Sequence, residues 1–492
     1  MRSLLALALC AVAAPASAAT IEEMIPAIDR LMEEHRRAAP QPGLAYGIVK
    51  DGRLVHARGL GVQDPATNAP ITPDSLFRIA SMSKAFTALA VLKLRDGGKL
   101  RLDDLAELHV PELRGWRYPT SDSPRLIIRD LLTHTAGFVE DNPWGDRQQV
   151  LTEAEFTALL KAGVPWSRAP GLAMEYSNLG YAILGRIVGN ASGRPYQEYI
   201  GATILRPLGM TNTRFDIFQS PPARRAIGYR WQDGTWVREP DMKDGAFGAM
   251  GGLETSANDY ARWVAFLLSA WPARDGADAG PVRRATVREI AEGVNMPSGQ
   301  VRSPSYGGAP CRQAVVYGMG WRSLDDCDLG RVLTHGGGYP GYGTNVILLP
   351  DKGVGIFAFA NRTYNSPAPA MWRALLMLQS AGLIPDRVEP VSPGLAQAYA
   401  AARAVWRTGD IMTAPLANNM LMDRDATRWR DEIARVKREV GECSATEAIA
   451  PISAMEGFFT WTCTKARLRG RVQRAPTPEV TIQALNFSVA AP

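Results

Sequence analysis

A basic patch, a membrane-length apolar segment and a metal-ligand spacing are all missing from this 492-residue chain. No run of five basic residues occurs, and 55 Lys+Arg against 49 Asp+Glu leave a net charge of only +6. A nucleic-acid partner is therefore not expected. No segment reaches the roughly 18 apolar residues of a transmembrane helix. The five histidines, His35, His56, His109, His134 and His335, are scattered and form no H-E-x-x-H, and the cysteines show no C-x-x-C spacing. A zinc site is not expected, and no metal or other cofactor is called for. There is no Walker A loop, no dinucleotide-binding glycine fingerprint after a strand and no G-x-S-x-G elbow, so three common enzyme signatures are set aside. What is present is ordinary for a globular protein: 46% hydrophobic and 21% charged residues. The length asks for two or three domains.

Arg2, an apolar run from Leu4 to Ala14 and the small residues Ala16-Ser17-Ala18 read as a secretory leader over residues 1–18. The expectation is an exported protein, periplasmic or secreted, with no integral membrane segment after cleavage. Cys10 leaves with the leader, and Cys311, Cys327, Cys443 and Cys463 remain. An even number in an oxidising compartment favours disulfides. Of three possible pairings, the local one is expected, Cys311–Cys327 with Cys443–Cys463, because it keeps each bridge inside one domain.

Residues 21–37 carry Ile21, Met24, Ile25, Ile28, Leu31 and Met32 near helical spacing. Two apolar runs, 43–49 and 54–57, flank Asp51-Gly52, a hairpin signal. A second hairpin, 342–349 and 353–360, lies far downstream, and the chain between the hairpins reads as mostly helical with long loops. Strands at both ends predict one sheet built from both termini of the domain, hence an α+β fold. Residues 383–394 hold three prolines and read as a linker. The expected division is residues 19–382, the linker 383–394, and a small α+β domain over 395–492. The latter has helices near 395–406 and 427–440 and strands near 458–462, 466–472 and 480–487.

Three constellations carry chemistry. Ser81-Met82-Ser83-Lys84 precedes a long apolar run, which predicts a buried helix opening at Ser81. Serine and lysine three apart lie one turn from each other on one face, so the amine can reach the hydroxyl. Tyr176-Ser177-Asn178 precedes a second helical run, and alternate side chains of a loop can enter one cleft. A tyrosinate beside an ammonium could accept a proton. His335-Gly336-Gly337-Gly338 offers backbone that a ligand can approach closely. Each also has a plainer reading: a helix cap with a solvated lysine, a packed tyrosine, a glycine-rich turn.

The order Ser81-x-x-Lys84, Tyr176-x-Asn178, His335-x-Gly337 resembles the serine β-lactamase and penicillin-binding protein superfamily. The text around it, Phe77 to Lys84, Ile128 to Gly137, Pro207 to Thr213 and Gly251-Gly252-Leu253, is similar to the class C-like branch. That branch holds class C β-lactamases, DD-carboxypeptidases, D-aminopeptidases and family VIII esterases. The resemblance covers about residues 21 to 380. It implies an antiparallel sheet flanked by helices, an all-helical region, and a serine hydrolase acting on a small molecule or peptide. Ser81 would form an acyl-enzyme, with Lys84 and Tyr176 sharing the general-base role. Asn178 would orient substrate and Lys84. The backbone N–H groups of Ser81 and Gly338 would form the oxyanion hole beside Gly337, and His335 would contact substrate or tune Tyr176. Class C β-lactamases carry Lys-Thr-Gly at the third motif, and this chain has no Lys-Ser/Thr-Gly anywhere. A largely neutral His335 suits carboxylate-bearing substrates less, so short esters or amides are expected to be better substrates than β-lactams. Activity on carboxylates is expected to rise towards pH 6. The alternatives are a β-lactamase, a D-amino-acid-specific peptidase, or a non-catalytic binding protein.

Overall fold

The computed structural model describes residues 20–141, 144–293 and 295–490. The expected leader, residues 1–18, lies outside them. The first helix, α1 (Ile21–Ala38), starts where Thr20 and Glu23 form a capping box: each side chain accepts from the other's backbone N–H. It buries Ile28 and Met32.

The main sheet joins both ends of the first 380 residues. Its strands are β1 (Gly43–Lys50), β2 (Arg53–Asp64), β3 (Ala69–Pro70), β4 (Ser298–Val301), β5 (Arg312–Tyr317), β6 (Arg322–Asp326), β7 (Gly330–Tyr339), β8 (Tyr342–Leu349) and β9 (Val354–Ala360). They run antiparallel in the order β3-β2-β1-β9-β8-β7-β6-β5-β4. The pairing of β1 with β9 is the closure that the two hairpins predict.

Both faces of this sheet are covered, which explains why β1, β8 and β9 are apolar almost throughout. Ala45, Val49, Phe357 and Phe359 face the helical region. Leu44, Tyr46, Ile48 and Ile356 face α1 and a helix over Ala368–Ser380, with Met371 and Leu375. Each Val, Leu, Ile, Met or Phe among them contributes roughly 1.5–3 kcal/mol by burial. The fold class is thus α+β, as the sequence predicts.

Two local expectations change. Strands β4 to β7 stand where loops were expected, because short charged segments and three consecutive glycines have low strand propensity and pair only through their neighbours. The turn at Ser81 is 3₁₀ over Ala80–Ser83, and the α-helix α2 begins at Lys84 and runs to Asp96. Residues Lys84 to Leu92 are all buried, as an apolar run without a polar face requires.

Beyond Pro390 lie two helices, Pro393–Thr408 and Ala426–Val440, and a four-stranded sheet (Ala450–Pro451, Glu456–Thr462, Arg467–Arg474, Ile482–Val489). Trp406, Phe459, Trp461 and Phe487 fill its core, which shares no residue with the other two. Disulfides join Cys311 to Cys327 and Cys443 to Cys463, the local pairing. No helix of the described residues is long and apolar enough to cross a membrane.

Candidate active site

Ser81 sits where α2 meets the edge of β7. The pairing of β6 with β7 stops at Arg322 opposite Thr334, so beyond Thr334 that edge of β7 has no strand neighbour. The turn holding Ser81 packs beside this unpaired stretch at Gly337. Thr344 of β8 donates to the Ile79 carbonyl at 3.0 Å. A Cβ at Gly337 would collide with that same carbonyl and with the Thr344 hydroxyl, so only glycine permits this approach. Ala80 takes a left-handed φ of 51°, a strained conformation held by the packing on both sides.

Lys84 is completely buried and its Nζ has three neighbours. It lies 3.0 Å from Ser81 Oγ, 2.7 Å from Asn178 Oδ1 and 2.7 Å from the Met250 carbonyl oxygen. Burial pulls the amine down to about 7, against the opposing pull of Asp146 and Asp141. It lies 4.9 Å from the centroid of the Tyr176 ring.

A helix α3 (Asn178–Ser192) positions the second motif. Asp141 accepts from the Asn178 and Leu179 backbone N–H groups at 2.7 and 2.8 Å, an anion on a helix N-terminus. His134 holds the residues on either side of Tyr176: its carbonyl accepts from the Glu175 N–H at 2.7 Å and its Nδ1 from the Ser177 N–H at 3.2 Å. Tyr176 is partly exposed, with its hydroxyl enclosed beside Ser81; burial pushes it well above the usual phenol range. That direction favours the phenol over the tyrosinate that the sequence allows.

His335 is also neutral. Its Nδ1 is 2.6 Å from the Gly336 carbonyl, an obligate acceptor, so Nδ1 carries the proton and Nε2 accepts from the Tyr317 hydroxyl at 2.9 Å. Burial lowers its pKa to about 3. It contacts Tyr317 and does not hydrogen-bond to Tyr176.

A cavity of about 570 Å³ opens over Ser81, Tyr176, His335, Gly336 and Gly338. Asn178 and Gly337 do not reach its wall: Asn178 is fully buried on Lys84, and Gly337 packs on the Ser81 turn. Two charged wall residues carry no motif, Arg322 and Asp146. Arg322 is exposed, and among the described residues its guanidinium has no ion pair or hydrogen bond. A lone arginine at a strand start gives no sequence signal; only the register, which sets it opposite Thr334, brings it to the cavity. Among the described residues no three His, Cys, Asp or Glu side chains converge as metal ligands.

The chain is similar to several known proteins. Over 344 residues it is 28% identical to Protein flp of Staphylococcus aureus (strain N315), covering 68% of this chain and 62% of that one. Over 353 residues it is 27% identical to the D-alanyl-D-alanine-carboxypeptidase/endopeptidase AmpH of Escherichia coli (strain K12), covering 68% and 83%. The structure of the octameric penicillin-binding protein homologue from Pyrococcus abyssi superposes with a TM-score of 0.61 at 18% identity, over 94% of this chain and 99% of that one. The likeness in fold therefore extends past residue 383. The family model described as Beta-lactamase matches residues 28–379, the span that contains every residue of the Ser81 cavity, and the chain belongs to that family.

Proposed function

We propose that this protein is an exported serine hydrolase that forms an acyl-enzyme on Ser81 and cleaves amide or ester bonds in small substrates bearing a carboxylate. The observation that carries this reading is the environment of Lys84. The Asn178 and Met250 oxygens can only accept, so they take both N–H bonds of the neutral amine. The lone pair is left to the third neighbour, the Ser81 hydroxyl. A neutral amine aimed at a serine hydroxyl is a general base in place.

Ser81 Oγ attacks the substrate carbonyl and its proton passes to Lys84 Nζ. The carbonyl oxygen becomes an oxyanion between the backbone N–H groups of Ser81 and Gly338, the latter on the open edge of β7. The proton on Lys84 then reaches the leaving nitrogen or oxygen through the phenol of Tyr176, which both accepts and donates. The acyl–Ser81 ester forms as that bond breaks. A water, deprotonated by the same amine, releases the acid and restores Ser81. Asn178 acts on Lys84 alone in this scheme.

The substrate class rests on Arg322. A cation on the cavity wall with no counter-ion suits a carboxylate on the leaving fragment. The name of the E. coli relative, a D-alanyl-D-alanine-carboxypeptidase/endopeptidase, supports a peptide carboxylate. Neutral His335 favours a second reading, hydrolysis of uncharged esters, as expected from the sequence. The two disulfides support export. The test compares kcat/KM for a peptide ending in D-alanine with that for its C-terminal amide. We expect the free acid to win, and Arg322→Gln to reduce that preference by about 10- to 100-fold, the range for a hydrogen bond to a charged group. Equal rates for acid and amide would favour the ester reading.

A further inference from the structure

Asp146 is an acidic group on the cavity wall that the reaction above leaves unused. It is 3% exposed, yet it lines the same cavity as Ser81. Among the described residues its carboxylate has one hydrogen-bond donor, the Tyr364 hydroxyl at 3.0 Å, and no cation within ion-pair distance. A carboxylate offers about four acceptor positions. One filled position leaves a buried anion under-satisfied, a costly state unless something else occupies the site. Lys84 does not fill it, because its amine is committed to Ser81, Asn178 and Met250. Burial pushes the Asp146 carboxyl up to about 6, which still leaves it mostly ionised at pH 7.5.

Position along β7 says which part of a substrate would meet it. Arg322 pairs opposite Thr334, at the His335 end. Tyr364 packs at the other end, where a Cβ on Gly338 would be 2.6 Å from its ring. Thr334 and Gly338 are four strand steps apart, about 13 Å. An extended peptide of two or three residues spans about 7–10 Å, and the two side chains cover the remainder. If the leaving fragment presents its carboxylate to Arg322, the fragment retained on Ser81 extends towards Tyr364 and Asp146.

We propose that Asp146 anchors a cationic group, an ammonium, on the acyl side of the substrate, so that the cavity selects short zwitterionic peptides with a free amine next to the scissile bond. The inference rests on the proposed hydrolase reading for the direction of the substrate, and its test is separable from that reading.

Binding is measured by calorimetry on the full chain carrying Ser81→Ala, which removes turnover. The probes are D-alanyl-D-alanine and its N-acetyl derivative, which keeps the carboxylate and loses the positive charge. The free-amine peptide is expected to bind about tenfold or more tighter, as a charge-assisted contact in an enclosed site requires. Adding Asp146→Asn, which keeps the shape of the side chain, is expected to bring the two dissociation constants within about twofold of each other. The readout is a ratio within one variant, so a partly unfolded sample loses competent sites for both probes without changing it. Equal affinities with Asp146 present, or a preference that survives Asp146→Asn, overturns the proposal. With Ser81 intact, failure to hydrolyse either peptide alongside an Asp146-dependent preference would remove the peptide-hydrolase reading and keep this one. Hydrolysis of both with no such preference would do the reverse.

Discussion

The amine of Lys84 lies 3.0 Å from the hydroxyl oxygen of Ser81, and its two other neighbours are oxygens that can only accept. In the proposed mechanism that arrangement makes the protonation state of Lys84 the switch for the reaction. With the amine drawn down to about 7, the base is available only above that pH. We expect kcat/KM to rise with pH along an acid limb with an apparent pKa near 7. Asp146 and Asp141 both favour the charged amine, so Asp146→Asn should move that limb to lower pH. A pH–rate profile of both proteins checks this; a limb that stays fixed or moves upward contradicts it.

His335 should leave no trace in the same profile. Burial lowers its pKa to about 3, which keeps it neutral at pH 6 and above. Activity on carboxylate-bearing substrates should therefore fall from pH 7.5 to pH 6, following Lys84, and not rise as a titrating His335 would demand. A carboxylate substrate and a neutral ester, assayed at both pH values, should lose activity in parallel. A carboxylate-specific gain at pH 6 would show His335 taking up a proton.

In the proposed mechanism Tyr176 and Lys84 serve one proton path. Tyr176→Phe and Lys84→Ala should each reduce kcat by about 10²–10⁴-fold, the range for lost acid–base help. The double variant should lose far less than the product of the two, because a broken path cannot be broken twice. Multiplicative losses in kcat would show two independent roles.

How much of this was legible beforehand depends on whether chemistry sits in a spacing or in a register. Ser81 and Lys84 declare themselves because three residues are one helical turn. The hairpins around Asp51-Gly52 and Pro350-Asp351-Lys352 show through alternation and turn residues, and they locate the sheet closure. The Met250 carbonyl was invisible, since every residue has one and only the fold chooses which faces Lys84. Gly336 to Gly338 left a glycine-rich turn open as the plainer reading, because glycine has little strand propensity of its own; they form part of β7. Arg322 and Asp146 reach the cavity by strand pairing and by packing on Tyr364, neither of which leaves a local pattern. His335 invited a titrating role because its reference pKa lies near neutrality, and burial on Tyr317 removed that role.

We propose that residues 395–492 form a separately folding domain, since their core is their own. Replacing Cys443 and Cys463 together by alanine opens a loop of 20 residues and should cost about 3 kcal/mol in the chain-entropy account. Calorimetry should show one transition moving down while a second, belonging to the catalytic region, stays in place. A single transition moving as a whole would show that the two regions unfold together.

The most direct measurement concerns the acyl-enzyme itself. The purified protein is quenched in acid during turnover of a slow ester substrate, and its intact mass and peptide map are recorded. The account predicts a mass increase equal to the acyl group, carried on the peptide containing Ser81, absent from Ser81→Ala and retained when Ser83 is replaced by alanine. Turnover without any covalent mass, or an acyl group on another residue, would contradict it.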